Sequence, residues 1–300
     1  MRYVFIVNPV AGKKNAYYSV FPTIREYFGA NGMEFTCYIT EKPNHATELA
    51  KMESRKADPV RIYAIGGDGT LSETAAGAIG RENVEIGIFP CGSGNDYIKN
   101  FGEARRFLSL EKQLKAPSRP VDMIHSQGKY SINLCSVGLD ARVAYEMVKF
   151  KRVPFISGSM AYDFALMKVL AGKLGEHLEI VIDGAGKYDG TFLFALAGSG
   201  KYYGGGYCGA PLAVPDDGLL DFVLIRKPPL YKIPPLINIY KNGGHLKSAK
   251  FKDFLTFCRG KKMEIKAPGR AVANFDGECS IIDELCFEVV PKAVNFIVPV

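Results

Sequence analysis

The residues that most clearly could do chemistry form a glycine-rich turn at positions 66–70, Gly-Gly-Asp-Gly-Thr, directly after the β-rich run 61–65. Glycines let the backbone turn sharply and present its N–H groups, and a helix that follows adds unpaired amides and a positive dipole end. The turn therefore predicts a phosphate cradle. Asp68 would repel a bare phosphate, which implies Mg²⁺ or an ordered water network between carboxylate and phosphate. The alternative is a tight strand-to-helix turn in which Asp68 caps the helix.

Two further loops of small residues are expected at the same edge of the sheet. Residues 8–13 (Asn-Pro-Val-Ala-Gly-Lys) follow the first predicted strand, and residues 90–96 (Pro-Cys-Gly-Ser-Gly-Asn-Asp) follow the fourth. In an open parallel sheet, ligands bind beyond the carboxyl ends of the strands. The three loops together predict one nucleotide site, although each loop alone is compatible with an ordinary turn.

Two acidic turns mark the second half of the chain. Residues 215–219 (Pro-Asp-Asp-Gly-Leu) follow three glycines at 204–206, and indicate either a hairpin turn or a cation site built from a carboxylate and neighbouring carbonyl oxygens. Residues 274–278 (Asn-Phe-Asp-Gly-Glu) indicate either a solvated acidic turn or a general base. A carboxylate that takes the proton of an attacking alcohol assists phosphoryl transfer.

Several classes of protein are disfavoured. The sequence has no G-x-x-x-x-G-K-[ST] motif, no complete G-x-G-x-x-G and no G-x-S-x-G elbow, which argues against a P-loop NTPase, a Rossmann dinucleotide site and an α/β-hydrolase. The seven cysteines include no C-x-x-C pair and no zinc-ligand spacing, so reduced thiols of a cytoplasmic protein are expected. No signal peptide and no apolar run long enough for a membrane helix is predicted.

The elements that must position these residues fall into two domains. Up to about residue 120, predicted strands (3–7, 34–40, 61–65, 85–89) alternate with predicted helices (17–30, 46–56, 70–79), which is typical of βαβ units and a parallel sheet. Beyond it, short β-rich runs separated by Gly, Asp and Asn, with one helical stretch at 158–171, predict a mostly antiparallel β-domain. The expected domains are 1–120, with 291–300 returning to it, and 121–290.

The order and spacing of the motifs resemble those of the soluble bacterial diacylglycerol kinase and lipid kinase family, whose catalytic domain is related to sphingosine and NAD kinases. The resemblance runs almost end to end, and its motifs are Asn8-Pro9, Gly12, 66–70 with Glu73, 92–96, 204–206, Asp217-Gly218 and Asp276-Gly277-Glu278. It implies an α/β fold plus an all-β one: an N-terminal three-layer α/β domain like that of NAD kinase, a C-terminal β-sandwich, and ATP in the cleft between them.

The resemblance also implies roles for single residues. Glu278 would be the catalytic base, Asp68 and Asp96 the essential aspartates of the nucleotide loops, and the Asp217 carboxylate with the carbonyls of Val214 and Leu219 the ligands of a structural Mg²⁺. The implied nucleotide contacts are Asn8, Pro9, Val10, Ala11, Gly12, Thr40, Gly66, Gly67, Asp68, Gly69, Thr70, Leu71, Ser72 and Ser93.

Charge is distributed unevenly. The chain carries a net charge of +7. Residues 226–270 hold 12 Lys and Arg against only Asp253 and Glu264. Interleaved with Phe251, Phe254, Leu255 and Phe257, this basic stretch predicts docking on anionic headgroups with shallow insertion, the alternative being a solvated basic face with buried aromatics. No nucleic-acid recognition motif is present, so nucleic acid is not an expected partner.

The predicted function is ATP-dependent phosphorylation of a lipid hydroxyl, with diacylglycerol giving phosphatidic acid as the leading acceptor. The enzyme is expected in the cytoplasm, peripherally associated with the inner face of the membrane. The alternatives are a kinase of another lipid, such as sphingosine or phosphatidylglycerol, a kinase of a soluble acceptor as in NAD kinase, and a sensor that binds nucleotide or lipid without turnover. The resemblance also implies a homodimer.

Overall fold

The computed structural model describes residues 1–12, 16–150, 158–172 and 174–300. Contacts divide the chain into two compact units, one formed by residues 1–123 with 291–300 and the other by residues 124–290.

The first unit is built on a parallel sheet. Its strands are β1 (Arg2–Val7), β2 (Thr36–Ile39), β3 (Val60–Gly66) and β4 (Val84–Pro90), in the order β2-β1-β3-β4, and the far end of β15 (Glu278–Ile297) pairs in parallel with β4. The helices are α1 (Ala16–Ala30), α2 (His45–Ser54), α3 (Asp68–Gly77) and the short α4 (Leu110–Lys115), with 3₁₀ turns at Tyr97–Phe101 and Ala104–Leu108. The predicted parallel α/β arrangement is confirmed.

Continuous apolar runs explain why β1, β3 and β4 lie at the centre of this sheet. Strands covered on both faces need apolar side chains at successive positions, and Val4 to Val7 of β1 and Ile62 to Ile65 of β3 are all buried. An aromatic cluster fills the space beside them: the ring of Phe5 stacks on Tyr63 at 5.3 Å and meets Phe28 edge-on at 5.7 Å. This packing fixes the strand ends that carry the glycine-rich loops.

The second unit is mostly antiparallel sheet. Its strands follow the order β13-β12-β9-β7-β14-β15, and β8 pairs with both β9 and β14. Their bounds are β6 (Lys129–Ser131), β7 (Leu134–Gly138), β8 (Glu176–Ile182), β9 (Gly186–Gly198), β12 (Leu220–Arg226), β13 (Leu255–Gly260) and β14 (Lys262–Phe275); β10 (Tyr202–Tyr203) and β11 (Tyr207–Cys208) form a separate hairpin, and β5 (Ser118–Ser126) spans the boundary of the units.

Two apolar clusters cover the two faces of this sheet. Along β12, Phe222 and Leu224 contribute to one cluster, while Val223 and Ile225 contribute to the other, as the two-residue period of a strand requires. The cluster that contains Val223 lies between the sheet and three helices, α5 (Leu139–Phe150), α6 (Gly158–Leu170) and α7 (Ile233–Lys241).

The expectation of a single helical stretch in this part of the chain is wrong, because α5 and α7 are helices too. In α7, Pro234 and Pro235 suggest a loop, but they occupy the first turn, where a missing N–H costs nothing. Helix α5 follows β7 directly, and the last residue of the strand, Gly138, makes the sharp turn with a φ of 110°. None of the described helices is long and apolar enough to cross a membrane.

Candidate active site

The loops after β1, β3 and β4 lie against one another in the first unit. The N–H of Cys91 donates to the carbonyl of Gly66 over 2.7 Å, and the N–H of Asn8 donates to the carbonyl of Ile65 over 2.9 Å. The side-chain amide of Asn8 also donates to Oγ1 of Thr70 over 3.1 Å. The structure thus brings together the three loops that the sequence places at one sheet edge.

Glycine is required where these loops touch. Gly12 has a φ of +73°, and a Cβ on it would lie 2.0 Å from the carbonyl oxygen of Cys91. A Cβ on Gly67 would lie 3.1 Å from the Cα of Gly92. Backbone that is bare of side chains at the start of α3 leaves its first amides accessible, which is the arrangement that binds phosphate oxygens.

Asp68 and Asp96 flank the same glycine. A Cβ on Gly94 would lie 3.0 Å from Oδ2 of Asp96 and 3.2 Å from Oδ2 of Asp68. Asp68 is half-buried at the first residue of α3, and its Oδ1 accepts the N–H of Tyr97 over 3.0 Å. Asp96 is buried and forms an ion pair with Lys99. Both carboxylates therefore lie beside Gly94, and Lys99 supplies a positive charge to Asp96.

The other predicted nucleotide contacts differ in accessibility. The N–H of Thr40, just after β2, donates to the carbonyl of Val7 over 2.8 Å, so Thr40 lies at the same sheet edge. Val10 and Ser93 are exposed, whereas Leu71 is fully buried and its side chain belongs to the core. Of the other predicted contacts, Gly66, Thr70 and Ser72 are buried, and Gly12 and Gly69 are exposed. The rest of the predicted set is partly exposed.

Glu73, which belongs to the same motif, has a structural task. Its Oε2 accepts the N–H of Ala46 over 3.2 Å, and its carbonyl accepts the hydroxyl of Thr47 over 2.9 Å. A carboxylate at free amides and at the positive end of a helix is stabilising, so Glu73 anchors the N-terminus of α2 against α3.

The Asp-Gly-Glu turn of the second unit separates its two carboxylates. Oδ2 of Asp276 accepts the N–H groups of Ile132 and Asn133 over 2.7 and 3.2 Å, and Oδ1 accepts that of Leu134 over 2.8 Å. Asp276 therefore holds the β6–β7 connection. Glu278 begins β15 with its side chain 43% exposed, 3.7 Å from Nζ of Lys129. Both residues are partly exposed, but three backbone N–H groups engage the Asp276 carboxylate, whereas the Glu278 carboxylate lies beside Lys129.

An apolar pocket, which sequence reasoning missed, opens in the second unit between the sheet and helices α5, α6 and α7. Its cavity volume is about 60 Å³, and aliphatic and aromatic side chains line it, among them Leu139, Leu166, Leu170, Leu193, Phe194 and Leu236. Asp140 contributes a carboxylate to the pocket wall. Burial raises the pKa of that carboxyl to about 6, while a hydrogen bond from Ser136 acts in the opposite direction. The pocket residues are scattered between positions 139 and 251, so no local motif announces them.

The predicted structural Mg²⁺ site does not fit a cation. Oδ1 of Asp217 accepts the N–H of Leu219 over 3.1 Å, and Oδ2 forms an ion pair with Arg259. The guanidinium also binds Asp221, which lies directly across from Arg259 in the β12–β13 pairing, with Nε 2.8 Å from Oδ1. Val214 and Leu219, whose carbonyls are the other predicted ligands, lie on the same loop, Val214 exposed and Leu219 partly exposed. A guanidinium already supplies positive charge to both carboxylates.

The apolar residues of the basic stretch pack inward. Phe251 is buried, and Phe254, Leu255 and Phe257 are partly buried against the cluster beneath the helices. These side chains are therefore engaged in the core of the second unit, so they do not form the inserting face that the sequence predicts.

Comparison with known proteins supports these assignments of fold. The sequence model of the diacylglycerol kinase catalytic domain matches residues 2–126, and that of the YegS C-terminal NAD kinase beta sandwich-like domain matches residues 133–298. A protein of Shewanella frigidimarina named "Probable lipid kinase YegS-like" is 30% identical over 80% of this chain and 76% of its own length. A diacylglycerol kinase of Bacillus subtilis is 24% identical over 91% of this chain and 88% of its own length.

Two solved structures share the fold. A diacylglycerol kinase from Bacillus anthracis superposes with a TM-score of 0.68 at 18% identity, covering 99% of this chain and 96% of its own. Yeast NADH kinase superposes with a TM-score of 0.51 at 12% identity, covering 100% of this chain and 84% of its own.

Proposed function

Because the chain belongs to the family of lipid kinases that carry the diacylglycerol kinase catalytic domain, we propose that it transfers the γ-phosphate of ATP to a hydroxyl of a lipid. The observation that carries the lipid acceptor is the apolar pocket of the second unit, since a soluble polar acceptor would have no use for walls of Leu, Ile and Phe side chains.

The first unit would hold the donor. The loops after β1, β3 and β4 meet at the N-terminus of α3, where free amides and the helix dipole favour phosphate. Asp68 and Asp96 would receive the Mg²⁺ that accompanies the nucleotide, and that ion would neutralise charge on the phosphates. Lys99, paired with Asp96, adds positive charge beside the same loop.

Glu278 of the second unit would take the proton of the acceptor. In the reaction the lipid oxygen forms a bond to the γ-phosphorus, the bond from phosphorus to the bridging oxygen of ADP breaks, and the hydroxyl proton passes to the carboxylate. Asp276 keeps the turn that carries Glu278 in place through its three backbone hydrogen bonds.

Diacylglycerol is the first acceptor to test. We would measure transfer of labelled phosphate from ATP, with Mg²⁺, to mixed micelles that carry diacylglycerol, sphingosine, ceramide, phosphatidylglycerol or no lipid. Transfer to a lipid supports the proposal and identifies the acceptor. A further arm holds NAD as a soluble acceptor and no lipid. Transfer in that arm alone, or ATP binding without transfer in any arm, contradicts the proposal.

A further inference from the structure

We propose that the turn Leu230–Lys232, with the lysines around it, docks the second unit on a bilayer of anionic phospholipid, with the mouth of the apolar pocket at the lipid surface. The inference deepens the proposed function and rests on it in one respect, namely that the acceptor would reach the pocket from the bilayer.

The turn exposes two large apolar side chains between buried residues. The side chains of Leu230 and Tyr231 are 63% and 77% exposed. Before them, Pro228 is buried in the pocket wall, and after them Ile233 is buried at the start of α7. The N–H of Lys232 donates to the carbonyl of Pro229 over 2.9 Å and closes the turn. A single exposed apolar residue is ordinary, but two neighbours held at the tip of a closed turn form an anchor suited to the membrane interface.

All charged residues in the sequence around the turn are Lys or Arg. Residues 222–252 contain seven Lys and Arg and no Asp or Glu. Lys227, Lys241, Lys247, Lys250 and Lys252 are exposed. Lysines near an anionic surface favour binding to it, and their contribution falls as salt screens the charges. The charge therefore matches a surface of anionic headgroups.

The anchor is continuous with the pocket. Pro228, Ile233 and Leu236, on either side of the exposed pair, line the pocket wall. Helix α6 supplies Leu166 and Leu170 to the same wall and exposes Met167 beside them. A lipid that leaves a bilayer at this turn would meet apolar side chains directly, so its chain need not cross water.

A second copy of the chain is the competing occupant of the exposed pair. In a two-fold dimer the same patch faces itself, so the lysines of one copy would lie opposite those of the other. Like charges brought together in this way oppose association, whereas anionic lipid favours it. The charges therefore favour an anionic bilayer over a second copy as the partner of Leu230 and Tyr231.

The test is co-sedimentation of the full chain, without ATP, with vesicles of phosphatidylcholine alone or mixed with phosphatidylglycerol. The double variant Leu230→Ser/Tyr231→Ser is compared with a matched control, Leu108→Ser/Ile281→Ser, whose residues are 64% and 63% exposed elsewhere. We expect wild type and control to bind the anionic vesicles in a salt-sensitive manner, and the double variant to bind at least tenfold more weakly. Equal binding by all three proteins, equal losses in both variants, or no preference for phosphatidylglycerol would overturn the proposal.

Two further measurements separate docking from the other accounts. On gel filtration, a dimeric wild type that becomes monomeric in the double variant would assign the turn to a second copy and overturn docking. With a short-chain diacylglycerol kept below its micellar concentration, the double variant should turn over as wild type does, because neither residue belongs to the pocket. A wild type that binds vesicles but phosphorylates no acceptor would support docking and contradict the proposed function. A wild type that phosphorylates a lipid but does not bind vesicles would support the proposed function and contradict docking.

Discussion

Glu278 and Asp276 show how much of the chemistry depends on single contacts. The sequence presents both as carboxylates of one turn, and their difference appears only in the fold, where Asp276 binds amides of residues 132–134. Contacts between residues more than a hundred positions apart leave no local pattern. The motif therefore predicts the location of the turn but does not separate the residue that supports it from the residue that would react.

Replacement of Glu278 by Gln should lower turnover by roughly 10²- to 10⁴-fold and leave ATP affinity unchanged, because the amide cannot take the proton of the acceptor. The measurement is kcat with the best lipid acceptor, together with ATP binding by calorimetry. Asp283→Asn, which removes an exposed carboxylate from the same strand, is the control. Near-normal turnover of Glu278→Gln would remove Glu278 from the base role.

His245 predicts a pH dependence of stability. The residue is fully buried against the rings of Tyr240 and Phe251, and burial lowers its pKa from 6.5 to about 4, while the backbone of Gly209 acts in the opposite direction. Between pH 6.5 and pH 4, His245 is therefore mostly protonated in the unfolded chain and mostly neutral in the folded chain. The stabilisation is complete above pH 6.5 and is lost as the pH falls toward 4, by about 2 kcal/mol at pH 5.

Urea denaturation at pH 7 and pH 5 tests this prediction. His245→Phe should lose about 2 kcal/mol less than wild type between the two pH values. The exposed His177, replaced by Gln, is the control and should change nothing. An unfolding free energy of His245→Phe that falls as steeply as that of wild type would show that His245 does not contribute.

At the scale of elements, the strands of the first unit could be predicted and parts of the second could not. Buried parallel strands carry unbroken apolar runs, so β1, β3 and β4 are legible in the sequence, and so is the meeting of their loops. Helix α7 was obscured by its two prolines, and β13 was missed because its apolar residues were read as a membrane-inserting face. Strand β13 matters because it brings Arg259 opposite Asp221, 38 positions away.

The ion pairs of Arg259 predict that the second unit needs no structural Mg²⁺. Its guanidinium already forms ion pairs with Asp217 and the buried Asp221. Chelation by EDTA or addition of Mg²⁺ should therefore leave the melting temperature of the wild type unchanged. Arg259→Gln should lose about 2–4 kcal/mol of stability, because Asp221 is left buried without its partner.

Differential scanning calorimetry without nucleotide makes this comparison. Lys262→Gln is the matched control, since its partner Glu264 is exposed and such pairs contribute little. A wild-type melting temperature that falls in EDTA and recovers with Mg²⁺ would restore the cation site at Asp217.

At the scale of the whole molecule, each unit has one part of the proposed reaction: phosphate-binding loops in the first, and a base and an apolar pocket in the second. The motifs predicted the meeting of the three loops and the position of the turn that carries Glu278. The pocket was not, because packing of α5, α6 and α7 on the sheet creates it. The assignment of a lipid acceptor thus depends on the pocket, which could not be predicted from the sequence.

The most direct test of the lipid acceptor is a comparison of Leu166→Trp with wild type in phosphate transfer to diacylglycerol micelles. The indole would fill the pocket that Leu166 lines, so kcat/KM for the lipid should fall at least tenfold while ATP affinity and melting temperature stay the same. Equal kcat/KM in the two proteins, with the variant folded, would contradict the claim that the pocket takes the acceptor.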